Sequence, residues 1–385
     1  MSLCLYNGTL IHGSSALKQC AVLIKDSKIA DVFNQKRFEQ KKFSSDTRLI
    51  DVNGAYIVPG FIDTHIHGYG GYGTEDNDPD SILEMSRGLA ECGVSAFNPT
   101  LYPSSEDNMI KAIRAITKAI GKESGARIMG IHLEGPFLSS EKMGVQRPET
   151  IKPVDIDLFE RLWEASEGHI VNMTVAPEIK HMHELALVCR KKGIVLQAGH
   201  TNALYSNMVE GIQAGIMHAT HLFNAMRQMN HHDPGAAGAV LIHYDMSCEI
   251  IADGVHVHPD LFKLLMRVKP MSKIVLVTDA LKPSGQQAGM LIANGEEVKF
   301  EGGCFCRASD GVIAGSALTM IRGVQNLVRF DFPLVDAVRC ATANPAQVMG
   351  YASKGQITPG YDADITVFND KFEIQHIIIA GALIR

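Results

Sequence analysis

Hydrophobic and polar positions follow two different patterns along the chain. Residues 3–52 give short alternating segments, including 21–24 and 28–32, which predict small strands separated by turns. After residue 60 the pattern changes to short apolar runs that alternate with helix-period stretches, which is typical of β/α units around a parallel sheet. The tail, residues 355–385, returns to short β-like segments. The pattern predicts a large β/α body between two β-rich ends.

The central region contains enough strands for a closed barrel. Its candidate strands are residues 55–63, 94–98, 127–133, 170–175, 194–198, 216–219, 248–252 and 273–278. Helical patterns cover 81–91, 107–119, 157–165, 183–192 and 259–268, and a hairpin-like segment at 290–305 precedes further helices at 318–329 and 334–349. We therefore predict a (β/α)8 TIM-type barrel over residues 55–351. Residues 1–54 and 352–385 are expected to share one small β-sandwich domain, because neither end alone is large enough to bury a core.

Composition removes several classes of function. The 385 residues are 46% hydrophobic and 20% charged, as in ordinary globular proteins. The net charge of -6, without a basic block, argues against a nucleic-acid partner. Apolar runs fall far short of the roughly 20 residues of a membrane span, and the first residues do not resemble a signal peptide. We expect a cytoplasmic protein with no membrane partner.

Metal-ligating side chains follow the predicted barrel strands. These residues are His65 and His67 after the first strand, Glu134 after the third, His200 after the fifth, His221 after the sixth and Asp279 after the eighth. The strand ends of a barrel meet at one mouth, and alternate residues of an extended chain share a face. Several imidazoles with a carboxylate and an open position are what a catalytic zinc or similar divalent ion uses. The sequence therefore predicts a catalytic metal site.

A glycine-rich segment at 68–73 offers a competing interpretation. It satisfies G-x-G-x-x-G after a predicted strand, which is the pattern of dinucleotide sites. However, residues 74–79 are acidic and turn-forming where a helix should open, and no acidic residue ends the second strand. We interpret the glycines as a mobile loop over the mouth. An NAD-dependent oxidoreductase is the alternative, and it depends on this segment alone.

Several motifs agree with one known family. They are PGFIDTHIHG at 59–68, HLEGPF at 132–137, AGHT at 198–201, THLFNAM at 220–226, ADGVH at 252–256, TDA at 278–280 and GSALTM at 315–320. Together they resemble the N-acetylglucosamine-6-phosphate deacetylases of the amidohydrolase superfamily, over essentially the whole chain. The H-x-H opening marks only the superfamily, whereas the H-L-E-G-P and H-L-F-N-A-M segments are much more specific to the deacetylases.

The resemblance implies roles for individual residues. Glu134, His200 and His221 would hold a metal ion, Asp279 would act as acid and base, and Asn224, Ala225 and His256 would contact the substrate. Because His65 and His67 are kept, a second ion bridged by Glu134 is also implied. Zinc is the expected ion, with iron, manganese or cobalt as alternatives, since histidine and glutamate accept all of them.

Two positions depart from the family pattern. His232 stands where many members carry an arginine that reaches the substrate phosphate of the neighbouring subunit, an arrangement that also implies a homodimer. Gln146 stands where many relatives have a substrate-contacting histidine, and its amide can still donate a hydrogen bond.

The implied activity is hydrolysis of N-acetylglucosamine 6-phosphate to glucosamine 6-phosphate and acetate, in amino-sugar catabolism. Alternatives are deacetylation of N-acetylgalactosamine 6-phosphate or of an unphosphorylated N-acetyl sugar, and a non-catalytic barrel that only binds a ligand.

Overall fold

The computed structural model describes residues 2–286 and 290–385, and its centre is a parallel β/α barrel. In chain order the barrel strands are Phe61–Ile66, Val94–Leu101, Ile131–Glu134 with the short Arg127–Ile128 before it, Ile170–Val175, Val195–Ala198, His218–Ala219, Ser247–Ile251 and Ile274–Val277. Neighbouring strands pair in parallel. Nearly all of their residues are buried, as expected where helices cover a sheet whose inner face is filled. The predicted barrel is confirmed.

Hydrogen bonds join the first and eighth barrel strands. The backbone N–H of Asp279 donates to the carbonyl of His65 at 2.9 Å. Below it, the Thr278 hydroxyl donates to Oδ2 of Asp63 at 2.6 Å. These bonds bring the residues that follow the first and last strands to the same rim.

Helices cover the barrel, and one further helix, Gln35–Gln40, packs on strands of the chain-end sheet. The α-helices are Gln35–Gln40, Pro79–Glu91, Glu106–Ala119, Ile156–Ala165, Met182–Lys191, Tyr205–Ala214, Gly235–Ile242, Pro259–Val268, Met320–Arg329, Leu334–Cys340 and Ala343–Met349. In the part of the chain described here, none of them is long and apolar enough to cross a membrane.

The two chain ends share one sheet. Its strands are Ser2–His12, Ser15–Lys25, Lys28–Asn34, Thr47–Asp51, Tyr56–Pro59, Ile365–Phe368, Ile374–Ile379 and Ala382–Leu383. Pairing of Tyr56–Pro59 with Ile365–Phe368 joins the two ends. Register shifts between Leu5 and Leu10 interrupt the pairing of Ser2–His12 with Ser15–Lys25, and apolar side chains from both ends form a common core.

Two predicted elements are each divided in the structure, and two of the helices that cover the barrel were not predicted. The predicted strand at 55–63 is two strands, Tyr56–Pro59 in the chain-end sheet and Phe61–Ile66 in the barrel. They separate at Gly60, where a Cβ atom would lie 2.4 Å from Oγ of Ser95. The predicted helix at 334–349 is likewise two helices, and the helices Tyr205–Ala214 and Gly235–Ile242 were not predicted.

Residues 68–73, predicted as a loop over the mouth, form a short hairpin. Its strands are Gly68–Tyr69 and Tyr72–Gly73, joined by two glycines with positive φ. The N–H of Gly68 donates to the carbonyl of Ala280 at 3.1 Å, which ties the hairpin to the end of the eighth strand. The predicted hairpin at 290–305 belongs to an antiparallel sheet of Met290–Ala293, Glu296–Glu301, Cys304–Arg307 and Ile313–Ser316.

Candidate metal centre

The carboxylate of Glu134 lies at the centre of the predicted cluster. Its Oε1 is 3.1 Å from Nε2 of His200, 3.2 Å from Nε2 of His221 and 3.4 Å from Nε2 of His65. Its Oε2 is 3.4 Å from Nε2 of His67. One carboxylate therefore faces the same ring nitrogen of four histidines, which come from three barrel strands other than its own.

Asp279 completes the cluster on the side of the first strand. Its Oδ1 lies 3.4 Å from Nε2 of His67 and 3.6 Å from Nε2 of His65. The Asp279 side chain is 12% exposed, whereas that of His65 is fully buried. The aspartate is thus the member of the cluster that is most open to an incoming molecule.

The donor set fits divalent metal ions. Two groups have ligand atoms within 4.8 Å of one another: His65, His67 and Asp279, and Glu134, His200 and His221. Nε2 of His200 and Nε2 of His221 are 3.2 Å apart, close to the roughly 3.3 Å between two ligands of a tetrahedral zinc ion. Nε2 of His65 is buried and has no hydrogen-bond partner in the described structure, as expected for an atom that binds an ion.

Electrostatics keep the carboxylates in the metal-binding form. Burial raises the pKa of Glu134, but the charges and hydrogen bonds of His200, His221 and His65 outweigh burial and hold that pKa well below its usual range. Burial likewise lowers the pKa of His65, but Glu249, Asp279 and Glu134 raise it overall. Ligand binding by histidine requires a neutral imidazole, so a metal ion would compete with protons for Nε2 of His65.

Contacts on the other ring nitrogen orient three of the histidines. Nδ1 of His67 lies 3.1 Å from the carbonyl of Thr100, and Nδ1 of His200 lies 3.2 Å from the carbonyl of Lys142. Nδ1 of His65 is 2.9 Å from Oε2 of Glu249. Each contact places a proton on Nδ1 and leaves Nε2 free to bind an ion.

The predicted substrate residues Gln146, Asn224 and Ala225 lie beside this cluster. Nε2 of Gln146 donates to Oε2 of Glu134 at 2.7 Å. Nδ2 of Asn224 donates to the carbonyl of His221 at 3.3 Å. A Cβ on Gly144 would contact both the His200 ring and Ala225, so Ala225 is near the ring as well.

The other two predicted substrate residues are not in contact with the cluster. Nδ1 of His256 pairs with Oδ2 of Asp253 at 2.5 Å, in the loop after the seventh barrel strand. His232 is exposed, and its ring packs on that of His231 with the ring centroids 3.9 Å apart. In the described chain, neither ring has a hydrogen bond or ring contact to the six clustered residues.

Glu249 and Tyr102 contact histidines of the cluster and were not predicted from the sequence. The Tyr102 ring stacks on His67 with centroids 3.7 Å apart. Glu249 lies within Ser247–Ile251, where every residue is buried. Glu249 could have been noticed as a charged residue inside a predicted buried strand, since an ionised group is rarely buried without a partner. Nothing in the sequence marked Tyr102.

The chain belongs to the amidohydrolase family, whose sequence profile matches residues 56–384. This membership and the two groups of ligands indicate that the protein binds a divalent metal ion.

Individual relatives narrow the comparison to one kind of enzyme. The N-acetylglucosamine-6-phosphate deacetylase of Bacillus subtilis (strain 168) is 33% identical over 99% of this chain and 96% of its own length. The human enzyme of the same name is 30% identical over 98% and 94% of the two chains. The predicted resemblance to these deacetylases is confirmed.

Solved structures agree with the sequence relatives. The crystal structure of N-acetylglucosamine-6-phosphate deacetylase from Pasteurella multocida has a TM-score of 0.92 at 28% identity, covering 100% of this chain and 99% of that one. A mutant of the Mycobacterium smegmatis enzyme, solved in complex with N-acetyl-D-glucosamine-6-phosphate, has a TM-score of 0.89 at 27% identity, covering 100% and 98%.

Proposed function

We propose that this protein is a metal-dependent deacetylase that hydrolyses N-acetylglucosamine 6-phosphate to glucosamine 6-phosphate and acetate. The observation that carries the proposal is the carboxylate of Glu134 facing Nε2 of four histidines at the rim of the barrel. The relatives and solved structures of this enzyme, matched over the whole chain, support the substrate.

Amide hydrolysis needs an activated water and support for negative charge on the acetyl oxygen. Glu134, His200 and His221 would hold a divalent ion, which when bound would supply both by lowering the pKa of water and polarising the acetyl carbonyl. Retention of His65 and His67 provides ligands for a second ion. We propose zinc at this centre, with iron, manganese and cobalt as alternatives.

Asp279 is the proposed acid and base. Its carboxylate takes the proton of the attacking water and delivers it to the departing amine nitrogen, as general acid and base catalysis requires. Its partial exposure among buried histidines leaves it accessible to both the water and the substrate.

The residues proposed to hold the substrate are Gln146, Asn224, Ala225, His232 and His256. Gln146 donates to Glu134, so its amide lies where the acetamido group must approach the centre. His232 is exposed at the surface, in keeping with a contact to the phosphate bound by a neighbouring subunit. We accordingly propose that the protein is a homodimer. We also propose that it acts in the cytoplasm, in amino-sugar catabolism.

A substrate comparison tests this proposal. Acetate release would be measured as kcat/KM for N-acetylglucosamine 6-phosphate, N-acetylgalactosamine 6-phosphate and unphosphorylated N-acetylglucosamine. The highest value is expected for N-acetylglucosamine 6-phosphate. A preference for the galactosamine ester or the plain sugar would reassign the substrate, and no hydrolysis of any of them by metal-loaded protein would refute the deacetylase.

A further inference from the structure

Glu249 is a buried carboxylate that links ligands of both proposed ions. Its Oε2 is 2.9 Å from Nδ1 of His65 and accepts the backbone N–H of His221 at 3.2 Å. Its Oε1 accepts from Nε2 of Gln197 at 3.0 Å and lies 3.7 Å from Nε2 of His218. The side chain is fully buried, and its ion-pair partners in the described chain are histidines rather than lysine or arginine.

Such a carboxylate is costly to bury unless its charge is compensated. Glu134 and Asp279 add two more buried carboxylates around the same imidazoles. With all three ionised and the histidines neutral, the centre carries a negative charge that bound divalent cations compensate, and His65, His67 and Asp279 offer ligand atoms for an ion beside the one held by Glu134, His200 and His221.

The contact between Glu249 and His65 also determines which nitrogen of the His65 ring carries the proton. An ionised carboxylate accepts hydrogen bonds only, so Glu249 requires the proton of a neutral His65 to be on Nδ1. Nε2, which is buried and has no hydrogen-bond partner, is then the lone-pair nitrogen facing Glu134 and Asp279. A glutamine at this position is neutral and accepts a hydrogen bond more weakly than a carboxylate, so it holds the proton on Nδ1 less firmly.

We propose that Glu249 is the positioning residue that makes His65 a ligand and thereby sets the metal content at two ions per chain. The inference rests on the proposed metal-dependent deacetylase and adds a residue that does not touch the ions itself. Glu249 acts through His65 and not by contact with the substrate.

Cobalt titration of the metal-free protein tests this role without relying on activity. The wild type should bind two Co²⁺ per chain, as measured by visible absorption and elemental analysis. Glu249→Gln should weaken one of the two sites by about 10- to 100-fold, as is typical when the hydrogen-bond partner of a ligating histidine is lost. Unchanged affinity at both sites would overturn the proposal.

Two further variants separate positioning from a general loss of packing. Glu123→Gln changes another buried carboxylate, which contacts Ile128 and Arg127, and should bind both ions normally. In a protein that already carries His65→Gln, adding Glu249→Gln should not weaken cobalt binding further, because the histidine through which Glu249 acts is absent. An equal loss in both backgrounds would contradict action through His65.

The remaining outcomes are also decisive. If Glu249→Gln does not fold, Glu249→Asp retracts the charge from His65 and should weaken the same site, and wild-type binding by that variant would overturn the proposal. A wild-type protein that binds one ion overturns the role of Glu249 but leaves the deacetylase standing. A wild-type protein that binds none overturns both.

Discussion

Backbone conformation at single residues helps to aim the metal ligands. His200, His221 and Asp279 have φ values of 45°, 25° and 50°, in the left-handed region that non-glycine residues rarely adopt. Each stands just after a barrel strand, where the chain turns away and the side chain points into the mouth. Such conformations cluster at functional sites because the surrounding fold compensates for their strain. The sequence showed which residues these are, but not this conformation.

Asp279→Asn tests the proposed acid and base. Loss of the titratable carboxylate should lower kcat by about 100-fold or more. The group of Glu134, His200 and His221 does not include Asp279, so elemental analysis should still find an ion in the variant. Asp336→Asn, on an outer helix, is the matched control and should behave as the wild type. Wild-type turnover in Asp279→Asn would remove this residue from catalysis.

At the scale of elements, helices and strands were predicted correctly where the hydrophobic period and the length of the segment were clear. The helix Pro259–Val268 was predicted with its observed bounds because its apolar positions follow the helical period. The helix Gly235–Ile242 has the sequence GAAGAVLI, which has no polar face and therefore no period. The prediction of one strand at 55–63 was wrong for a related reason, since a single apolar run forms strands in two different sheets. Local pattern cannot assign such segments, because tertiary packing decides them.

Lys269 stabilises the end of the helix Gly235–Ile242. Its buried ammonium group donates to the carbonyls of Val240 at 2.9 Å and His243 at 2.8 Å, and also to that of Met246. Lys269→Met would leave buried acceptors unsatisfied and should lower the free energy of unfolding by about 3 kcal/mol.

Urea denaturation would measure this loss. Lys263→Met is the control, because Lys263 is half exposed and pairs with Asp260 at the surface, where such pairs contribute little. Equal denaturation midpoints for the two variants would show that Lys269 has no such role.

At the scale of the whole molecule, the barrel brings together residues that are far apart in the chain. The H-x-H pair and the strand-end positions made the ligand cluster predictable, because every barrel strand ends at the same rim. Glu249 and Tyr102 escaped prediction because their contacts depend on how strands and loops pack around the centre. The predicted barrel is present, and strands from both chain ends join in one eight-stranded sheet.

Metal removal should destabilise the whole fold. Cations would compensate the buried carboxylates of this centre, and an ion that binds only the folded state stabilises it by about 4 kcal/mol at a thousand times its Kd. The thermal unfolding temperature should therefore fall after chelation and return to its original value when zinc is added. An unchanged unfolding temperature would argue against tightly bound ions at this centre.

The most direct test of the central claim is the rate of acetate release from N-acetylglucosamine 6-phosphate as a function of metal bound per chain. The proposed centre predicts almost no hydrolysis by the chelated protein and a rate that rises as divalent ions are restored. Hydrolysis that is unaffected by metal removal, or absent from fully loaded protein, would contradict it.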